Sequence, residues 1–369
     1  MKITDLTITL FAWTGIPPTS YARHTGRFAG ESRLGLVALA TDQGVTGHAV
    51  IGAAAHGADQ DAGTVVKYLK PLLIGEDPLD RARLYDRIGA RRRYVPPRCL
   101  GAVDVALWDI AGKVAALPVH RLLGSFRHAV PAYASSAVLE APAAYAEEAV
   151  RFKEAGWRAY KIHPFGRWRE DIEICRAVRR AVGDDYTLML DSTWNYRYEH
   201  ALKVGRAIEE LGFYWYEDPL ADDDIYNCVK LKEKLDIPLM ATEYAPGGFT
   251  AYAPWLLLRA TDYLRGDVAV KGGITAMVKS AHLAEAFALN YEVHHGGNSH
   301  NNWANLHVIA AIPNTEFFEV LLPAAAQKYG VIDDLEVDRD GLVHVPDRPG
   351  IGAEIDFKLI ERTKLGVLA

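Results

Sequence analysis

Three carboxylates recur at one interval: Asp191, Glu217 and Glu243 stand 26 residues apart, each closing a run rich in apolar or aromatic residues (TLMLD, FYWYE, IPLMATE). Acidic groups gathered in partly apolar surroundings repel one another and are costly to desolvate unless a cation neutralises them. With no cysteine in the set and no histidine spacing suited to zinc, the donors are all oxygen. That points to Mg2+, which would keep positions open for water and substrate oxygens. Other ionisable residues close similar runs: Lys161 and His163 in RAYKIH, Asp267 in YLRGD, His294 and His295 in YEVHH, Glu319 in TEFFE. Any one of these taken singly is ordinary, since strands commonly end in polar residues. Seven consecutive endings of this kind are not.

The set describes a specific chemistry. A carboxylate substrate held on a divalent ion becomes acidic at its α-carbon, because the ion and a lysine stabilise the enediolate charge. Candidate acids and bases lie on opposite sides, Lys161 and His163 on one, His295 with Asp267 on the other. Asp267 beside His295 would fix the imidazole tautomer and raise its basicity. Neighbouring strand residues point to opposite faces, so only one of His294 and His295 can look inward. His295 is expected to be that one, because Gly296-Gly297 lets the backbone turn sharply after it, and His294 is expected to pack outward. His307, inside ANLHVIAAI, reads as a packed histidine, and Arg91-Arg92-Arg93 as a solvated helix end.

These residues need a scaffold that brings distant strand ends together. From about residue 130, short apolar strands alternate with amphipathic helices of ten to sixteen residues, the rhythm of parallel strands joined by crossovers. Eight strands are expected, at 130–136, 158–163, 187–191, 213–217, 237–243, 263–267, 291–295 and 315–319. That favours a closed barrel, whose C-terminal strand ends meet at one mouth, over an open doubly wound sheet. Before it, residues 1–51 alternate like antiparallel strands, with Asp42-Gln43-Gly44 as a turn, and helices follow near 58–73, 78–90 and 99–116. The expected fold is therefore α/β, a modified TIM barrel (β/α)7β over 126–324 with an α+β N-terminal capping domain over 1–125, completed by about 325–369. A length of 369 residues suits a large barrel with one smaller domain.

Composition excludes other classes. Half the residues are hydrophobic and 24% charged, with no apolar run long enough to span a bilayer. A net charge of −6 with dispersed basic residues offers no footprint for nucleic acid. Cys99, Cys175 and Cys228 are too few and too scattered for a disulfide framework, which suits a reducing cytoplasm.

AVDVALWDIAGK, YKIH, MLD, YEDPL, ATE, GDVAVKGGIT, the His295 strand and FFE together resemble the enolase superfamily, mandelate racemase subgroup, over nearly the whole chain. The resemblance implies one Mg2+ per subunit on Asp191, Glu217 and Glu243, an Asp267–His295 dyad, Glu319 donating a hydrogen bond to the substrate carboxylate, and a homo-oligomer. Mandelate racemase has Lys-x-Lys on its second barrel strand, where this chain has Lys161-x-His163. Lys161 then lies by the substrate carboxylate, and His163 either transfers a proton or binds a substrate hydroxyl. The loop TGIPPTSYARHTGRFAG, with Tyr21, His24 and Arg27, would close over the mouth, and its polar, cationic content suits a hydroxylated acid. The leading expectation is dehydration of a sugar acid to a 2-keto-3-deoxy acid. The alternatives are a racemase, epimerase or cycloisomerase acting on a hydroxy acid, and a non-catalytic binding barrel.

Overall fold

The computed structural model describes residues 1–245 and 247–369. Strands β1 (Ile3–Thr19), β2 (Phe28–Thr41) and β3 (Thr46–Ile51) form an antiparallel sheet; Gly44 in the β2–β3 turn has φ +75°, a conformation glycine adopts without strain. Helical segments cover 59–73, Arg81–Gly89 and Pro97–Ala115. The last of these crosses β3 so closely that a Cβ on Gly47 would lie 2.1 Å from the Ala106 carbonyl oxygen, so only glycine fits there.

Eight parallel strands follow: β4 (Ala129–Ser135), β5 (Ala159–Ile162), β6 (Thr187–Asp191), β7 (Trp215–Glu217), β8 (Leu239–Ala241), β9 (Tyr263–Gly266), β10 (Asn290–Val293) and β11 (Phe318–Leu321). They pair in the order β10-β9-β8-β7-β6-β5-β4-β11, a nearly closed barrel with helices on its outside. At the seam between β10 and β11, side chains take over from the ladder. The buried Glu292 carboxylate accepts hydrogen bonds from Thr315 Oγ1 and from the amides of Glu316 and Phe317. Among the described residues no barrel-type helix follows β11; a single turn at Ala324–Ala326 comes next and a short helix, Phe357–Arg362, stands near the end of the tail.

The returning tail adds β12 (Leu342–His344) antiparallel to β4, and β13 (Lys364–Leu368) to the free edge of β1. Residues 3–19 thus pair with strands from both ends of the chain. The long hairpin arm carries Pro17 and Pro18 inside β1, where a loop was expected; a register shift between Ile16 and Thr19 accommodates them.

Inside the barrel, side chains alternate in layers. Tyr133, Ala159, Met189, Trp215 and Met240 pack as an apolar floor, with Tyr263 and Phe317 against it. Two residues further along several of these strands, the inward positions become ionic: Lys161, Asp191, Glu217, Arg265 and Glu319. Strand alternation therefore converts one sequence period into a dry base and a charged mouth.

Candidate active site

The three carboxylates sit at or just past the ends of consecutive strands, and each offers an oxygen within 4.8 Å of the others. Asp191 and Glu217 face each other in the β6–β7 register, and Glu243 lies two residues past β8. All three are buried. The backbone around them is held in uncommon geometry: Thr193, Trp194, Asp218 and Thr242 all have positive φ, at 43°, 61°, 43° and 86°. For a β-branched residue such as Thr242 this costs on the order of 1–3 kcal/mol and must be imposed by its surroundings. Asp222 imposes it, accepting the amides of Thr242 (2.8 Å) and Tyr244 (2.7 Å) and so clamping both sides of Glu243.

Charge is concentrated below the triad. Lys161 Nζ lies 3.1 Å from Asp191, 2.9 Å from Glu217 and 2.7 Å from Glu319. Burial and Arg265 work against its charge, but Glu217 and Glu319 outweigh them and hold its pKa well above the usual lysine value. Arg265, fully buried on β9, pairs with Glu217 and with Glu319 (2.5 Å), and donates to Tyr133 Oη (3.2 Å). Even with both cations present, burial and the neighbouring Asp191 push Glu217 up to about 7, while Arg265 opposes them. A divalent ion would relieve that repulsion, so this oxygen-only donor set fits one.

On one side, His163 Nδ1 donates to the Ser136 carbonyl (2.7 Å), which leaves Nε2 facing the cavity, 3.0 Å from Asp191 Oδ2. On the opposite side, Asp267 binds the Nδ1 of His294, whose Nε2 lies 3.3 Å from Glu243. Burial alone would depress the His294 imidazole, but Glu243 and Asp267 outweigh it and raise the pKa to about 9. A cavity of about 240 Å3 lies between the two histidines, lined by Asp191, Glu243, Glu319, Tyr21, His24 and Trp194 among others.

The histidine beside Asp267 is thus His294, a correction to the expected pairing with His295. His295 is fully buried against the Phe318 ring, 4.0 Å between centroids, and neither ring nitrogen has a partner among the described residues. Burial lowers its pKa to about 3, so it is a neutral packing group; its backbone amide orients Glu319 (3.0 Å). The phase was readable in the strand itself, because Asn290, Glu292 and His294 alternate with core residues Tyr291 and Val293.

Comparison with known proteins places this arrangement. Residues 144–359 match the family described as Enolase C-terminal domain-like, and residues 3–124 match the Mandelate racemase / muconate lactonizing enzyme, N-terminal domain. The chain belongs to the enolase superfamily. Arabinonate dehydratase of Saccharolobus solfataricus is 32% identical over 82% of this chain and 83% of its own. An N-succinyl-L-Arg/Lys racemase from Bacillus cereus is 27% identical over 87% of both. A crystal structure of D-glucarate dehydratase from Agrobacterium tumefaciens complexed with magnesium superposes with TM-score 0.86 at 33% identity, covering 99% of this chain and 100% of that one.

Two further expectations for this enolase-superfamily chain need revision. Glu319, paired with Lys161 and Arg265, has its pKa held well below the usual carboxylate range: burial pushes it up, but the two cations outweigh that. As a carboxylate it accepts hydrogen bonds and cannot donate one without first taking up a proton. In the N-terminal arm, the Tyr21 hydroxyl is already engaged, donating to the Leu322 carbonyl and accepting from Gln327 Nε2, both at 2.8 Å. Tyr21 therefore offers the cavity a ring, 5.3 Å from that of His163. His24 lines the cavity and reaches Asn195 (3.3 Å), whereas Arg27 is exposed and forms no part of the lining. Arg265 and Asp222 went unnoticed in the sequence, although an arginine inside an apolar strand two residues before Asp267 shares its parity.

Proposed function

We propose that this enzyme takes the α-proton from a sugar acid and expels the β-hydroxyl, giving a 2-keto-3-deoxy acid. The observation that carries the reading is the placement of two imidazoles, His294 held by Asp267 and His163 held by Ser136, on opposite sides of a cavity lined by Asp191 and Glu243 of the acidic triad. Mg2+ held by Asp191, Glu217 and Glu243 would supply the Lewis-acid charge that makes the α-proton removable.

The chain's own groups do the rest. With Nδ1 fixed on Asp267, His294 presents Nε2 as the proton acceptor. Glu243 and Asp267 together hold its pKa up; a cation bound by Glu243 would withdraw part of that support. Lys161 supplies positive charge beside the substrate carboxylate as the enediolate forms. As the C3–O bond breaks, an imidazolium, either His163 protonated at both nitrogens or the newly protonated His294, gives a proton to the departing hydroxide, and the enol released ketonises. Tyr21, Ala22, His24, Thr25 and Phe28 of the arm border the cavity and exclude bulk water.

The same pair of imidazoles would permit removal and return of a proton at C2, the racemase or epimerase outcome, and ring opening is the cycloisomerase outcome. A library of sugar acids incubated with Mg2+ separates them. Semicarbazide-reactive 2-keto acid, lost in His294→Asn, is the expected result; deuterium exchange at C2 without keto product would sink dehydration in favour of the racemase reading. A barrel retained for binding alone would show neither.

A further inference from the structure

The cavity between His163 and His294 has a second lobe. A space of about 170 Å3 opens behind the dyad, sharing Tyr21, Phe28, Ala55, Tyr244, His294 and Leu321 with the catalytic cavity. Its far wall belongs to the capping domain: His56, just after β3, and Arg98, in the first turn of the Pro97–Ala115 helix. Arg98 is set in a particular way. Its Nε is fixed by the buried Asp61 carboxylate at 2.5 Å, while neither Nη atom has a hydrogen-bond partner among the described residues. The side chain keeps 42% of its exposure. A guanidinium anchored at Nε presents its two Nη amino groups as a planar fork, the geometry that matches a carboxylate in two parallel hydrogen bonds. The front lobe offers hydroxyl-binding groups instead, His24, Thr25 and Thr193.

We propose that the back lobe receives a second, distal carboxylate of the substrate on Arg98, so that the preferred substrates are sugar diacids and not the corresponding monoacids. This rests on the sugar-acid reading above and narrows it. A chain held by C1 at the triad and running past His294 ends its far side at the guanidinium. A monoacid of the same configuration places a neutral hydroxymethyl group there and leaves the fork without an anion. Asp61 prepares the site by orienting Arg98 before substrate arrives, and His56 adds a second donor on the same wall.

The test compares matched pairs, galactarate with galactonate and glucarate with gluconate, in the Mg2+-loaded wild type, Arg98→Met and Arg98→Lys. The expected result is a wild-type kcat/KM at least tenfold higher for the diacid of a turned-over pair. Arg98→Met should cut the diacid-to-monoacid ratio by thirtyfold or more, mainly through KM, and Arg98→Lys should lie between, since it keeps the charge for Asp61 and loses the fork. A ratio unaltered by either substitution, or a wild type that favours monoacids, overturns the proposal. If no sugar acid is turned over, the sugar-acid reaction itself has failed, and calorimetric binding of the same pairs decides about Arg98 alone. Tighter diacid binding that vanishes in Arg98→Met upholds the subsite; equal binding of diacid and monoacid refutes it.

Discussion

Two buried polar clusters meet the capping domain, and they differ in how completely their groups are satisfied. At the seam between cap, barrel and tail, Asp109 accepts the amides of His48 (2.8 Å) and Ile351 (2.9 Å) and pairs with Lys113 (2.6 Å). His307 is equally settled, Nδ1 accepting the His120 amide and Nε2 donating to the Ile351 carbonyl. At the barrel mouth, four carboxylates share two buried cations, Glu217 is pushed up toward neutrality, and a cavity stands open beside them. Satisfied buried polar groups fasten elements together; unsatisfied ones facing a cavity are a receptor waiting for charge.

Substitutions sharpen that contrast, the largest effects belonging to the mouth. Asp191→Asn should lower kcat at least a thousandfold and weaken Mg2+ binding in calorimetry by tenfold or more, because it removes one ligand oxygen's charge. Unaltered Mg2+ affinity would remove Asp191 from the ligand set. Arg265→Met removes one of the two cations that Glu217 and Glu319 share in the barrel interior and leaves them Lys161 alone. Breaking a buried pair by removing one member costs about 3–5 kcal/mol, measurable by urea unfolding.

Much of this was legible in the chain. The equal spacing of Asp191, Glu217 and Glu243 exposes the repeat of the βα unit, and short apolar runs, seven of them ending in an ionisable residue, locate the eight barrel strands to within a few residues. What stayed hidden has two causes, local strand phase and contacts between distant segments. The choice between His294 and His295 turned on strand phase, which Gly296-Gly297 obscured and Glu292 would have revealed. Tyr21 looked free to bind substrate because nothing in its own loop shows that Leu322 and Gln327, 301 and 306 residues away in sequence, claim its hydroxyl. Arg98 likewise acquires meaning only where its helix meets the mouth.

At the seam, effects should be smaller and fall on stability. Asp109→Asn weakens charge-assisted bonds to two amides and a lysine, for an expected loss of about 1–3 kcal/mol in denaturant unfolding. A loss below 0.5 kcal/mol would show that the seam is not held by this carboxylate. The smallest effect is a pH slope. Burial lowers His307 to about 4, and protonation would place an N–H against the His120 amide. Its unfolded form takes up a proton near pH 6.5. The contribution is therefore fully present above about pH 6.5 and declines as pH falls toward 4. In His307→Asn, Tm should fall less steeply over that window than in the wild type; parallel slopes would contradict the neutral-imidazole account.

The central claim, that the imidazole held by Asp267 is the one that takes the proton, is tested most directly by one pair of variants. Steady-state kcat on a turned-over sugar acid should drop at least a thousandfold in His294→Asn and less than tenfold in His295→Asn, with both proteins folded by circular dichroism. The reverse order, with His295 indispensable and His294 dispensable, would contradict the account.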